Sequence, residues 1–190
     1  MKKFLAVFVI CCLLFTGCVS NKNKKLVQDT VKEYFTFLKN QDYDSANLMV
    51  TVGNEDITPD ITKNAVNDLL FKDIQYEIWN IREQDGYLVA ETVITQLSIK
   101  TAYISTVKEY AQYIENAENE NKTFSETALE EKWNEIFYNN VSSLTEKATF
   151  KCDIYISLED ESVPKILMTA PFRNALFGGT LDAIESLNNK

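Results

Sequence analysis

The sequence predicts an α+β domain in which helices precede, interrupt and follow pairs of antiparallel strands. Two observations support this fold class. Over residues 27–38, apolar residues recur every three or four positions, which is typical of helices. Over residues 148–158 they alternate strictly with polar residues, which is typical of a strand with one buried face.

The first residues have the pattern of an export signal. Two lysines at positions 2 and 3 precede an apolar run over residues 4–15. This run is too short to cross a hydrocarbon core, which needs about 20 helical residues. A basic start, a short apolar stretch and a small-residue exit indicate a secretory signal peptide.

The end of that segment, Leu-Phe-Thr-Gly-Cys at positions 14–18, resembles the bacterial lipobox. The resemblance implies that residues 1–17 are removed, and that Cys18 is joined to diacylglycerol as the first mature residue. A two-chain anchor is sufficient for stable attachment, so we expect a lipid-anchored protein on the extracytoplasmic face of the cell membrane. Cys11 and Cys12 would leave with the signal, and a polar, basic tether is expected over residues 18–25.

Composition limits what the mature chain does. Removing residues 1–17 leaves 173 of the 190 residues, enough for one domain over 26–190. The removed segment holds two lysines and no acid, so the net charge moves from −9 to −11 (−9 minus 2). A chain with this net negative charge is a poor nucleic-acid binder, because contacts to phosphates require lysine and arginine.

The residue types also exclude several chemistries. The chain has no histidine, which excludes Ser-His-Asp and Cys-His catalysis and the common zinc sites that contain histidine. Its only glycine pair, Gly178 and Gly179, does not form a phosphate-binding loop motif. The acids over 115–131 do not match a calcium loop, so we expect no metal and no cofactor.

Helices dominate the first part of the domain. Helical spacing predicts a helix over residues 25–39 and a short one over 43–50. Thr58 and Pro59 form an N-cap and first-turn pair, which predicts a third helix ending near residue 72. Alternation then predicts strands over 74–78 and 87–99, joined at Asp85 and Gly86 by a loop longer than two residues.

The second part contains a helical insertion and a second hairpin. Residues 101–144 are expected to form two helices. The later one is capped either by Ser125 or by a competing capping box of Thr123 and Glu126. Strands over 148–158 and 163–170 follow, and a closing helix over 176–187 contains the two glycines. The sheet is therefore expected to have about four strands in two hairpins.

Two short stretches resemble a known superfamily. Residues 35–46, Phe-Thr-Phe-Leu-Lys-Asn-Gln-Asp-Tyr-Asp-Ser-Ala, resemble the opening of nuclear-transport-factor-2-like domains, where bacterial envelope lipoproteins have a similar Asp-Tyr-x-x-Ala turn. Residues 174–179, Asn-Ala-Leu-Phe-Gly-Gly, resemble the tail of Gram-positive lipoproteins of this kind. The resemblance implies a curved, cone-like sheet around a helix with a cavity at its open end, and it implies no single function.

Glu91 is the candidate catalytic residue. It shares a strand phase with apolar neighbours, and a carboxylate that lines a closed cavity would have its pKa raised by desolvation. The alternative is a bulge or edge position that turns Glu91 towards water.

Aromatic residues are the other candidates. Trp79, Trp133 and Tyr138, together with Tyr76 and Phe137, are candidates for a pocket that binds sugar or peptide, although such spacing also suits a core. Cys152 lies on the apolar phase of its strand, where an inert buried thiol is expected.

Three functional hypotheses follow. The first is a non-enzymatic domain that binds a small molecule or protein, with a cavity lined by aromatic residues. The second is an enzyme of the cone fold that uses Glu91 for proton transfer in a closed cavity. The third is an assembly module that exposes an apolar stripe on residues 101–144.

Overall fold

The computed structural model describes residues 19–52, 61–158 and 163–189. These residues form seven helices and five strands in a mixed α+β arrangement. In chain order they are α1 (Asn21–Lys39), α2 (Tyr43–Leu48), β1 (Val50–Val52), α3 (Ala65–Lys72), β2 (Gln75–Gln84), β3 (Tyr87–Leu97), α4 (Lys100–Asn119), α5 (Glu126–Ser142), β4 (Lys147–Ser157), β5 (Lys165–Met168), α6 (Ala170–Leu176) and α7 (Thr180–Asn188).

The sheet has five strands in the order β1-β5-β4-β3-β2. Four are antiparallel neighbours, as expected, but β1 is an additional strand that pairs in parallel with β5. The prediction of about four strands missed β1, because the expected second helix included its first residue, Val50, and residues 51–52 were assigned to no element. Val50 lies opposite Ile166, and the backbone N–H of Ile166 donates to the carbonyl of Met49 at 2.8 Å.

One face of the sheet is covered by helices and forms the core. Long helix α1 and short helix α6 pack across β2, β3 and β4, so large side chains between them are fully buried. The largest fully buried side chains among the described residues are Tyr34, Phe35, Phe71, Phe172, Leu38, Ile74, Ile94, Ile99, Ile154, Ile156, Ile166 and Leu176. The opposite face of the sheet is not covered by any described helix.

The Asp-Tyr-x-x-Ala stretch is a structural turn between α1 and α2. The Asp42 carboxylate accepts a hydrogen bond from the backbone of Ser45 at 3.2 Å and caps α2. The Tyr43 ring packs against Phe71 on α3, and its hydroxyl donates to Asp68 Oδ1 at 2.7 Å. The motif therefore ties the second helix to the third.

Several boundaries differ from expectation. Helix α1 begins at Asn21, capped by Ser20, four residues before the start expected at residue 25, so residues 21–25 are helical. Helix α3 begins at Ala65 and is capped by Asn64, whereas the expected cap at Thr58 and Pro59 lies outside the described residues. The same holds for Cys18, for the expected signal over residues 1–17 and for residues 159–162, which join the two strands of the second hairpin.

The hairpin between β2 and β3 has a two-residue loop, shorter than expected. Gln84 pairs with Tyr87, and the loop residues Asp85 and Gly86 both have positive φ, 51° and 83°. Two left-handed residues suit the twist of a tight hairpin, which explains the Asp-Gly pair.

The closing helix expected over residues 176–187 begins later, as α7 at Thr180, and a separate short helix, α6, precedes it where no helix was expected. Gly178 and Gly179, with φ of 59° and 85°, break the chain between α6 and α7. The side-chain oxygen of Asn174 accepts hydrogen bonds from the backbone of Leu181 at 2.9 Å and Asp182 at 3.3 Å, and so caps α7. The Asn-Ala-Leu-Phe-Gly-Gly stretch therefore builds a turn.

The helical insertion forms as predicted. Helices α4 and α5 pack against each other, and Ser125 caps α5 by accepting from the backbone of Ala128 at 3.2 Å. Trp133 lies between Tyr103 and Tyr110, at ring-centroid distances of 5.9 and 5.3 Å. Within the described ranges, no helix is long and apolar enough to cross a membrane.

Candidate functional site

The uncovered face of the sheet carries an open groove of about 650 Å³. Its floor is formed by side chains of β3 and β4 that alternate with the buried core residues, and so point away from the helices. The residues that border it are Trp79, Glu91, Thr92, Val93, Lys151, Cys152, Asp153, Tyr155, Thr169 and Pro171.

Trp79 reaches this groove because of a β-bulge. Ile78 lies opposite Thr92 and Asn80 opposite Glu91, so Trp79 is an extra residue in β2. Its side chain is 64% exposed, the most of any aromatic residue described. The ammonium of Lys151 lies 5.3 Å from the centre of its ring, an arrangement that attracts the cation to the indole face.

Arg82 organises the charges beside the groove. Its guanidinium donates to Glu91 Oε1 at 2.8 Å, to Asp153 Oδ2 at 2.7 Å and to Gln84 Oε1 at 2.9 Å. The neighbouring carboxylates, Asp153 foremost through its hydrogen bond, raise the pKa of Arg82. Glu91, Asp153 and Lys151 border the groove, and Arg82 compensates their net charge of −1, so the four side chains together carry no net charge (2 minus 2).

Glu91 lies in this open groove and not in a closed cavity. Its side chain is 43% exposed and bound to Arg82. The desolvation that the enzyme hypothesis required is therefore missing at the carboxylate. The bulge that was the alternative explanation is present, but in the neighbouring strand β2.

Cys152 is buried, as expected. Burial first, and the nearby Asp153 charge second, raise the pKa of its thiol to about 12. A thiol in that state is protonated at neutral pH, so it is a poor nucleophile.

The structure does not bring all the predicted aromatic residues together. Trp133 and Tyr138 lie on α5 and, with Phe137, border a separate polar groove of about 540 Å³ beside the start of α3. Tyr76 stacks on Phe35 in the core at 4.3 Å between ring centres. Of the five predicted aromatic residues, only Trp79 borders the sheet groove.

Sequence reasoning missed most of the partners of Trp79. Lys151, Asp153 and Tyr155 come from β4, and Thr169 follows β5. The strict alternation of β4 placed the first three on its polar face, which is a signal for a shared surface. The alignment of that surface with Trp79 depends on strand register and on a bulge, which the sequence does not reveal.

In the part of the chain that the structure describes, no three acidic or cysteine side chains converge as a metal site. Comparison of the chain with protein-family models, curated proteins and solved structures found no match.

Proposed function

We propose that this chain is a lipid-anchored, extracytoplasmic binding protein, and that its groove on the open sheet face binds a carbohydrate. The observation that supports this most strongly is the exposed indole of Trp79, placed by a bulge at the side of a 650 Å³ groove. Sites for small ligands are concave, with an apolar surface and a few placed polar groups.

The chemistry of the groove favours a sugar. A sugar ring has an apolar C–H face that stacks on an indole, and hydroxyls at its edge that donate and accept hydrogen bonds. The groove supplies an acceptor in the Asp153 carboxylate, a donor in the Lys151 ammonium and a group that does both in the Tyr155 hydroxyl. Because its charges balance, a neutral glycan fits better than a strongly charged ligand.

The two other hypotheses have less support. The enzyme hypothesis needs a desolvated Glu91, but this carboxylate is exposed and paired with Arg82. The assembly hypothesis needs an apolar stripe on the insertion. The only large aromatic or aliphatic side chain of α4 and α5 that is exposed is Tyr138, at 41%, because Trp133 and the tyrosines pack between the two helices.

The proposed anchor is Cys18, on the strength of the lipobox-like segment. Val19 is already part of the buried core and α1 begins at Asn21, so an anchor at Cys18 would hold the domain close to the membrane. Exposed lysines at positions 22, 24 and 25 lie on the first turns of α1, where they favour an anionic membrane surface. Cys18→Ala should abolish labelling by a radioactive fatty acid, and continued labelling would show that another residue carries the lipid.

We also propose that the sheet and α1 are a variant of the nuclear-transport-factor-2-like cone. The support is a long first helix that packs on a mostly antiparallel sheet and ends in the Asp42–Tyr43 turn. The groove on the uncovered face departs from the simplest cone, whose cavity lies between sheet and helices.

The test of the groove uses intrinsic fluorescence. The chain has two tryptophans, so Trp133→Phe leaves Trp79 as the only indole. In the chain from Val19 to Lys190, the N-acetylglucosamine tetramer should change the fluorescence of Trp79 and saturate. Trp79→Ala, followed by calorimetry, should weaken binding at least about tenfold, whereas the matched control Tyr138→Ala should not.

Two results would contradict the proposal. If Trp79→Ala leaves affinity for the tetramer unchanged, the groove is not the site. If an extended peptide saturates the groove and the tetramer does not, the ligand is not a carbohydrate.

A further inference from the structure

A second cleft lies among the helices, away from the sheet groove. It has a volume of about 340 Å³ and is bounded by α3, the start of α4, α5, α6 and α7. Most of its walls are apolar, and its lining residues are Val66, Asn67, Leu70, Ile99, Tyr103, Phe137, Arg173, Phe177, Thr180, Leu181 and Ile184.

Arg173 is the one charged side chain that lines this cleft. It lies on α6 and is partly buried. Among the described residues, it makes no ion pair and no side-chain hydrogen bond. The other arginine, Arg82, has three acceptors within 2.9 Å. The two arginines therefore differ sharply in how well their charge is compensated.

An unpaired guanidinium beside apolar walls is unfavourable. Removing its water without supplying an acceptor costs free energy, and the planar fork of arginine suits a carboxylate with two parallel hydrogen bonds. The cleft therefore offers a cation at one position and apolar surface at the others. A ligand with a carboxylate and an alkyl chain complements both.

We propose that this cleft binds a small amphiphile with a carboxylate head, which pairs with Arg173 while its chain contacts Leu70, Phe177 and Leu181. The volume is near the lower end of small-molecule sites, roughly 300–1,000 Å³, so the chain is short or medium in length. The proposal is independent of the carbohydrate groove, because it uses different residues on different elements.

Three matched probes separate charge from apolar contact. Decanoate, decanol and decyltrimethylammonium share the same chain and differ in the head group. With the chain from Val19 to Lys190, which keeps every described element and the core, calorimetry should show that decanoate binds at least about tenfold more tightly than decanol. Decyltrimethylammonium should bind most weakly, since its charge repels Arg173.

Variants test whether Arg173 binds the carboxylate head group. Arg173→Gln should lower decanoate affinity at least about tenfold and leave decanol affinity unchanged. Lys108→Gln, which removes an exposed positive charge on α4 outside the cleft, is the matched control and should have no effect. Leu181→Trp should fill the cleft and weaken all three probes, and thermal unfolding checks that each variant is folded.

Two outcomes would overturn the proposal. If decanol binds wild type as tightly as decanoate, the cleft recognises only apolar surface. If Arg173→Gln is folded and binds decanoate as wild type does, Arg173 does not hold the head group. Failure of either kind leaves the sheet groove untouched, since Trp79 does not border this cleft.

Discussion

Gly178→Ala should destabilise the domain strongly, because Gly178 has a positive φ and leaves no room for a side chain. Gly178 has φ of 59°, and a left-handed residue with a side chain costs about 1–2 kcal/mol. An added Cβ would also lie 2.3 Å from the carbonyl oxygen of Leu97, inside the 3.0 Å below which real contacts do not occur. The turn or the strand end must then move by at least 0.7 Å (3.0 minus 2.3).

That movement also endangers a hydrogen bond. The backbone N–H of Ile99 donates to the carbonyl of Gly178 at 3.0 Å, and its loss costs about 1 kcal/mol. The total is about 2–3 kcal/mol, a large fraction of the stability of a domain. Urea unfolding followed by circular dichroism measures it directly.

Gly86→Ala is the matched control. Gly86 has φ of 83° but no atom within 4 Å of an added Cβ, so only the backbone term applies, about 1–2 kcal/mol. Gly178→Ala should therefore be the more destabilising by at least about 1 kcal/mol. Equal effects of the two substitutions would refute the role assigned to the contact between the α6–α7 turn and the end of β3.

Three further predictions follow. Tyr43→Phe should lower the free energy of unfolding by about 1 kcal/mol in urea titrations, because it removes the hydrogen bond to Asp68. An unchanged free energy of unfolding would show that this hydrogen bond does not stabilise the domain. A double-mutant cycle on Arg82 and Glu91 should give about 0.5–1 kcal/mol of coupling, since both side chains are about a third or more exposed; a coupling of zero would contradict the pair. The Cys152 thiol should resist alkylation at pH 8 until the chain unfolds. Folding raises the pKa of this thiol from 9.0 to about 12, so its contribution to stability is complete below pH 9 and falls by up to about 1.4 kcal/mol per pH unit towards pH 12. The difference in unfolding free energy between wild type and Cys152→Ala should therefore change over that pH range. Rapid labelling of the thiol in the folded protein would contradict its burial.

Regular periodicity predicted the long elements well. The strict alternation over 148–158 became β4, and both helices of the insertion are where the pattern placed them. Ser125, one of the two candidate caps, is the cap of α5. These elements are long enough for a period to be read, and a cap is a local interaction. The α+β fold class followed from their order.

Short and nonlocal features were missed for physical reasons. Strand β1 has three residues, too few for a period to show, and it forms only by pairing with β5 more than a hundred positions later. The break between α6 and α7 depends on Gly178 approaching Leu97, a contact that the local sequence does not encode.

The candidate site shows the same limit. Glu91 and Trp79 were singled out from the sequence, but their setting depends on register. Once the loop at Asp85 and Gly86 is known to have two residues, Arg82 falls near Glu91 across the hairpin. The bulge that turns Trp79 into the groove is one inserted residue, which alters the face of every side chain before it.

The most direct measurement of the central claim is an amide and indole NMR titration of the chain from Val19 to Lys190 with the N-acetylglucosamine tetramer. If the groove binds carbohydrate, saturable shifts are expected at the Trp79 indole N–H and at the amides of Lys151, Asp153 and Tyr155. No shift is expected at the Trp133 indole on the insertion. Shifts that cluster around Trp133, or no shift at Trp79 at saturating tetramer, would contradict carbohydrate binding in this groove.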